Sequence, residues 1–324
     1  MFHFVLPRLL ALLVTLGVSC AMAQGFPARP LVLVVPFAAG GPTDTIGRIL
    51  ADRMGRTLGQ PVVVENVSGA GGTIANARVI KAPPDGYTVI IGHLGTHVLV
   101  QAVQGLKNDY VSEFDPVSLV VTNPEVIVSR KDAPARNLQE LVAWVKANPG
   151  KITFGTGGVG TPAHVMAAQF GELVAPLNIV HYRGAGPAML DVVAGHVDLT
   201  FDQAATAISY AKSGQVRAYA VTSRSRLASA PEIPTVDEAG LPGFYMSIWH
   251  GIWVPKGTPR EVVNTLNAAV REALADPAIR KRLTDMGQEI PPSDQQTPEA
   301  LRALHKAEIE KWHRIIKAAN ITAN

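Results

Sequence analysis

Pro36-Phe37-Ala38-Ala39-Gly40-Gly41-Pro42-Thr43-Asp44, directly after the apolar run Leu31–Val35, is the first of four glycine-rich turns leading from a strand-like run into a helix-like segment. The second is Ser68-Gly69-Ala70-Gly71-Gly72-Thr73, after Val62–Glu65. The third, Gly155-Thr156-Gly157-Gly158-Val159-Gly160-Thr161, follows Ile152–Phe154, and the fourth, Arg183-Gly184-Ala185-Gly186-Pro187, follows Asn178–Tyr182. Glycine lets the backbone turn sharply and leaves amide N–H groups uncovered, and the helix that follows adds the positive end of its dipole. Four such turns aimed at one place make an anion site built mainly from backbone. That favours binding over chemistry.

Around these turns the order strand, loop, helix occurs in two sets. The first set reads as strand Leu31–Val35, helix Asp44–Leu58, strand Val62–Glu65, helix Thr73–Lys81 and strand Tyr87–Ile91, with Pro83-Pro84-Asp85-Gly86 as the stop. The second set, preceded by a helix over Leu138–Ala147, reads as strand Ile152–Phe154, helix Pro162–Val174, strand Asn178–Tyr182, short helix Pro187–Ala194 and strand Val197–Phe201, and strand Val216–Val221 follows it. In both sets the turns lie about 30 residues apart, the length of a β–α unit, which implies two similar parallel sheets. The helices Arg260–Ala275 and Pro298–Ala319 follow the second set and are expected to return to the first. Two crossings are then needed, and the β-rich stretches Pro116–Val128 and Phe244–Val254 supply them. Two lobes joined this way form a hinged cleft with all four turns at the carboxyl ends of the strands, where open α/β sheets bind ligands.

Composition agrees with that reading. The chain has 324 residues, 47% of them hydrophobic and 17% charged, enough to bury a large core split into two domains. Net charge is +3 with Lys and Arg scattered, so no basic stripe of the kind nucleic acid requires is present. The first 23 residues read as a signal peptide. Arg8 closes a short n-region, Leu9–Val18 is apolar and too short for a bilayer span of roughly 20 residues, and Ala21-Met22-Ala23 fits cleavage before Gln24. Cys20 after Ser19 leaves lipidation as the other processing route, although Gly17 stands where a leucine is usual. Cleavage after Ala23 removes the one cysteine, and with it any disulfide or thiolate chemistry.

Several constellations have two readings. Gly155-x-Gly157-x-x-Gly160 matches a dinucleotide fingerprint, yet the following strand ends in His181-Tyr182-Arg183 rather than an acid. Arg183 facing a 2′-phosphate keeps an exported NADP-dependent oxidoreductase as the alternative. Asp44 either caps its helix or contacts a ligand amine. Phe37 is either a lid over the cleft or core, and His164 either hydrogen-bonds a ligand or is structural. His93 and His97 have the spacing of a helical metal pair, but Gly92 and Gly95 argue for a loop. His305 and His313 read as a solvated helix face. Asp202, at the end of Val197–Phe201, is placed to read a ligand's polar tail. There is no nucleophile elbow and no P-loop, so no catalytic residue, metal or cofactor is expected.

The chain also resembles the substrate-binding proteins of tripartite tricarboxylate transporters, the Bug family. Pro36-Phe37-x-x-Gly40-Gly41-x-x-Asp44, Val62–Asn66 with Gly69-Ala70-Gly71-Gly72, and Pro83-Pro84-Asp85-Gly86-Tyr87 carry the resemblance. So do Gly160-Thr161-x-x-His164, Tyr182-Arg183-Gly184-x-Gly186-Pro187-Ala188, Phe201-Asp202, and Val236-x-Glu238-Ala239-Gly240-Leu241-Pro242-Gly243. It covers the chain from about Pro30 onward. It implies an α/β periplasmic binding protein type II fold, with residues 24–123 plus 246–324 as one lobe and 124–245 as the other. It further implies a small carboxylate (a di- or tricarboxylate, an acidic amino acid or a pyridine carboxylate) held by the two first-lobe glycine loops, partly through water. The site residues carried over are Phe37, Gly40, Gly41, Asp44, Ser68, Gly69, Gly71, Gly72 and Thr96 in the first lobe. Thr156, Gly158, Thr161, His164, Arg183 and Asp202 are their counterparts in the second. The expected setting is the periplasm, with the chain a monomer serving the membrane subunits of a tripartite tricarboxylate system, or a sensor. The proline-free run Val98–Tyr110 departs from the family pattern and leaves the ligand's identity open.

Overall fold

The computed structural model describes residues 25–323. The signal segment and Cys20 lie outside the described residues, among which no helix is long and apolar enough to cross a membrane.

Strand β1 (Leu31–Val35) is buried almost throughout because helices cover both faces of its sheet. The chain then turns into α1 (Pro42–Leu58), whose Ile46, Ile49, Leu50, Met54 and Leu58 face the sheet. Proline at the first helical position starts α1, and Gly59 in the left-handed conformation (φ 65°) ends it. Strand β2 (Val62–Asn66), α2 (Thr73–Ile80) and β3 (Thr88–His93) complete the first set. A π-helical turn (Gly95–Leu99), α3 (Val100–Gln104) and α4 (Tyr110–Glu113) lead into β4, a single strand running from Phe114 to Arg130. After α5 (Leu138–Ala147) the second set is β5 (Thr153–Thr156), α6 (Pro162–Leu173), β6 (Asn178–His181), α7 (Ala185–Ala194) and β7 (Leu199–Gln203). Helix α8 (Ala204–Lys212), β8 (Val216–Val221), β9 (Ser247–Pro255), α9 (Arg260–Ala275), α10 (Pro277–Asp285) and α11 (Pro298–Ala318) follow.

The strand order is β2-β1-β3-β9-β4-β7-β5-β6, with β8 on β4. Both sets share one plan. The first strand of each is central and pairs in parallel with the other two, giving β2-β1-β3 and β6-β5-β7. The expectation of two like parallel sheets holds in these three-stranded cores, and what joins them is antiparallel. Strand β4 pairs with β9 from Phe114 to Pro124, then with β7 and β8 from Glu125 onward. The expected crossovers are thus real strands. The C-terminal helices return to the first half as anticipated: Arg53 of α1 reaches Asp276 at 3.0 Å, and Asn267 of α9 donates to the Val117 carbonyl at 2.8 Å.

Candidate ligand-binding site

The carboxyl ends of the two parallel cores face each other, and the glycine turns meet there. A Cβ on Gly41 would lie 3.3 Å from the Gly186 nitrogen, and one on Gly71 only 2.2 Å from the Val159 carbonyl oxygen. The Ala38 N–H donates to the Arg183 carbonyl at 3.1 Å, and Gln104 Nε2 donates to both Ala70 O and Val159 O. Backbone touches backbone across the cleft, so the two halves are closed on one another. Only glycine permits this approach at Gly71, where φ is 66°.

Between them lies a cavity of about 30 Å³, narrow because the surrounding turns already touch. Its walls come from Phe37 and Gly41–Thr43, from His93 at the end of β3, from Glu125 of β4, from Gly157 and Thr161–Ala163, from Ala185, and from Phe201–Gln203. Four helices begin at these residues. The residues preceding α1, α6, α7 and α8 (Gly41, Thr161, Gly184 and Gln203) make no side-chain cap. Thr161 spends its hydroxyl on the Gly158 carbonyl instead. The first-turn N–H groups therefore remain for another acceptor, and four positive dipole ends add up around one space. Such a space attracts an anion without a lysine or arginine in its wall.

Two further features shape the walls. The Phe37 ring stacks on His93, with centroids 5.2 Å apart and planes 7° apart. His93 Nδ1 accepts the Gly95 N–H at 2.8 Å, and burial lowers the ring's pKa to about 3. The neutral ring thus carries its proton on Nε2, a donor beside the cavity. The wall also carries two acids. Burial raises the Glu125 carboxyl well above its ordinary pKa, and the charge of Asp202 adds to this. Burial likewise raises Asp202 to about 6, against hydrogen bonds from Thr206 and the Gln203 N–H.

Of the residues expected at the site, Phe37, Gly41, Thr161 and Asp202 line the cavity. The others stand behind or beside it. Asp44 accepts from Gly40 N, Arg48 Nε and Asn66 Nδ2, which ties the first turn to α1 and β2. Gly40 takes its left-handed conformation (φ 85°) within this knot. Ser68, Gly69, Gly71 and Gly72 stay out of the cavity wall: Gly71 meets the third turn at Val159 with Gly158 facing it, Gly72 packs on the Thr96 side chain, and Gly69 on Ile74. Thr96 closes the π-helical turn on His93 and His97. Thr156 is paired with His181 at 2.7 Å. His164 Nδ1 accepts from Gly160 N, and its ring is held to a pKa of about 4 by burial and by His181. Arg183 contributes its carbonyl across the cleft while its side chain is exposed.

Two readings change. His97 is not in a loop: it lies in the π-helical turn, buried and stacked 3.9 Å from Trp253. No group of three potential metal ligands occurs among the described residues. His305 is not on a solvated face. It is 2% exposed, with Nε2 2.8 Å from the His97 carbonyl. In the Gly155–Gly160 turn, a Cβ on Gly160 would stand 2.6 Å from Val100 Cα, so this turn too packs tightly against the first half. The proline-free run Val98–Tyr110 is largely helical and reaches the seam through Val100 and Gln104.

Thr43 and Gly157, quoted in the turns but not as site residues, line the cavity together with Glu125 and Gln203, and so does His93, which the sequence offers only as half of a metal pair. A signal for Glu125 existed: it is the single charge in the otherwise apolar and polar stretch Pro116–Ser129.

A family model described as "Tripartite tricarboxylate transporter family receptor" matches residues 46–321. The chain belongs to this family. Among its relatives, BugT of Bordetella pertussis is 32% identical over 96% of this chain and 97% of its own length. The solved periplasmic binding protein BugD is 41% identical, superposes with a TM-score of 0.87, and is matched over 92% of this chain and 99% of BugD. MatC from Rhodopseudomonas palustris, solved with bound malate, is 39% identical with a TM-score of 0.86, over 90% of this chain and all of MatC (100%). The expected periplasmic binding protein architecture is thereby shared with solved members of this receptor family.

Proposed function

We propose that this chain is an extracytoplasmic solute-binding protein that captures a small carboxylate between its two half-sheets. It carries the ligand unchanged to the membrane subunits of a tripartite tricarboxylate-type transporter. The observation that carries this reading is the convergence of four uncapped helix N-termini on one cavity that has no basic side chain in its wall. A compact planar anion satisfies several free N–H groups at once. The malate seen in the related MatC carries planar carboxylate groups of that kind. Residues 24–123 and 246–324 form one lobe in this reading and 124–245 the other, with β4 and the chain entering β9 as the hinge.

A thermal-shift screen of the mature protein tests it. A ligand at 100 times its dissociation constant stabilises by about 2.7 kcal/mol, which raises Tm by several degrees. Shifts are expected among C4–C6 carboxylates, amino acids or pyridine carboxylates, and none with sugars or nucleotides. A shift with NADP(H) and silence across every carboxylate would overturn the reading.

A further inference from the structure

Glu125 and Asp202 are each 2% exposed, line the cavity, and each keep one carboxyl oxygen without a partner. In Glu125 that atom is Oε2. In Asp202 it is Oδ1, since Oδ2 accepts the Thr206 hydroxyl. No Lys or Arg lines the cavity, and His93 is held neutral there by burial, so the wall supplies no cation for either acid. Leaving a buried acceptor unmet is costly, more so when the group is charged. The two acids belong to different strands, β4 and β7, and both residues line the space at which the four helices begin.

We propose that the ligand is an amino carboxylate, whose carboxylate takes the helix N-termini while its ammonium docks on Glu125 and Asp202. This rests on the carboxylate reading above and narrows it. Backbone dipoles and two side-chain acids border the same cavity, and a zwitterion offers a charge of the right sign to each. A ligand with carboxylates at both ends would set one of them against the two acids, where like charges repel in a poorly screened space.

The test is calorimetry on matched pairs that differ only in the amine. The probes are the twenty amino acids, 4-aminobutyrate and β-alanine, each against its deaminated carboxylate (L-aspartate against succinate, L-glutamate against glutarate, 4-aminobutyrate against butyrate). At least one amine-bearing member is expected to bind 10-fold or more tighter than its partner. Glu125→Gln should erase most of that preference, because the amide keeps the shape but loses the charge. Asp202→Asn is the second variant and should reduce it in the same direction, with circular dichroism confirming that both fold. A deaminated carboxylate that binds as tightly as its amine, or a preference unchanged in both variants, overturns the amino-carboxylate inference and leaves the carboxylate reading standing. Silence of wild-type protein across both members of every pair overturns both.

Discussion

Asp44 and Glu125 are both nearly inaccessible acids, 3% and 2% exposed, and their neighbours give them opposite roles. Burial alone would raise the Asp44 carboxyl, but Arg48, the Gly40 N–H and Asn66 outweigh it and hold the pKa below the usual value. Asp44 is therefore a structural anion that knots the first turn. Glu125 has no such company, and its pKa rises through burial first and the charge of Asp202 second. A folded-state pKa above the ordinary 4.5 means that the folded state binds more protons. The resulting stability is complete below about pH 4.5 and is lost as pH climbs toward the folded value. Glu125→Gln removes that loss. Each tenfold change in the acid's ionisation constant is worth about 1.4 kcal/mol, enough to move a melting point by several degrees. The ligand-free variant should therefore match wild type near pH 4.5 and melt several degrees higher at pH 8. Scanning fluorimetry across that range checks it, and equal melting points at pH 8 would contradict the proposed unpaired acid. The sequence showed that Asp44 sits beside a glycine turn, but not which partners it would find, because Asn66 comes from another strand. Glu125 was legible only as an oddity in an apolar run.

Most elements could be read from the chain because their signals are local. The helices over 138–147 and 260–275 and the strand Val216–Val221 lie where periodicity put them, and most other ends differ by a few residues. Several short elements escaped, α8 and the π-helical turn among them. Helix α8 starts at Ala204 directly from β7, with no turn residue between them to announce it. The π-helical turn at Gly95 hides behind two glycines, which Thr96 and His93 side chains close by hydrogen-bonding the local backbone. The glycine turns themselves were read correctly as turns, but the second serves the seam more than the cavity wall. Gly71→Val follows from that. Its side chain would meet the Val159 carbonyl, a backbone atom that cannot swing aside, in a left-handed conformation that valine resists. The variant should fold with near-native circular dichroism yet fail to close. Calorimetry should show at least a 10-fold weaker carboxylate affinity, and full binding would remove the seam from the mechanism.

At the scale of the whole molecule, a cavity of about 30 Å³ ringed by touching turns has to open before a ligand can enter. Strand β4 runs from its pairing with β9 in the first half to its pairing with β7 and β8 in the second, so the proposed opening bends it where the chain also leads into β9. Trp249 and Trp253 of β9 lie 6.0 Å apart, and Trp253 stacks on His97, so closure should alter their emission. Adding a carboxylate that raises Tm should change tryptophan fluorescence and lower the radius of gyration in solution scattering. Unchanged scattering at saturation would exclude hinged closure. The sequence by itself determined the β–α repeats and the glycine turns between them, because apolar period, capping and turn chemistry act over a few neighbouring residues. Only the tertiary structure decided that β4 and β9 would fuse the two sheets, that the second turn would face a carbonyl rather than the cavity, and that Glu125 would meet Asp202. Those outcomes depend on contacts between residues far apart in the chain, and burial sets their energies only once the halves have come together.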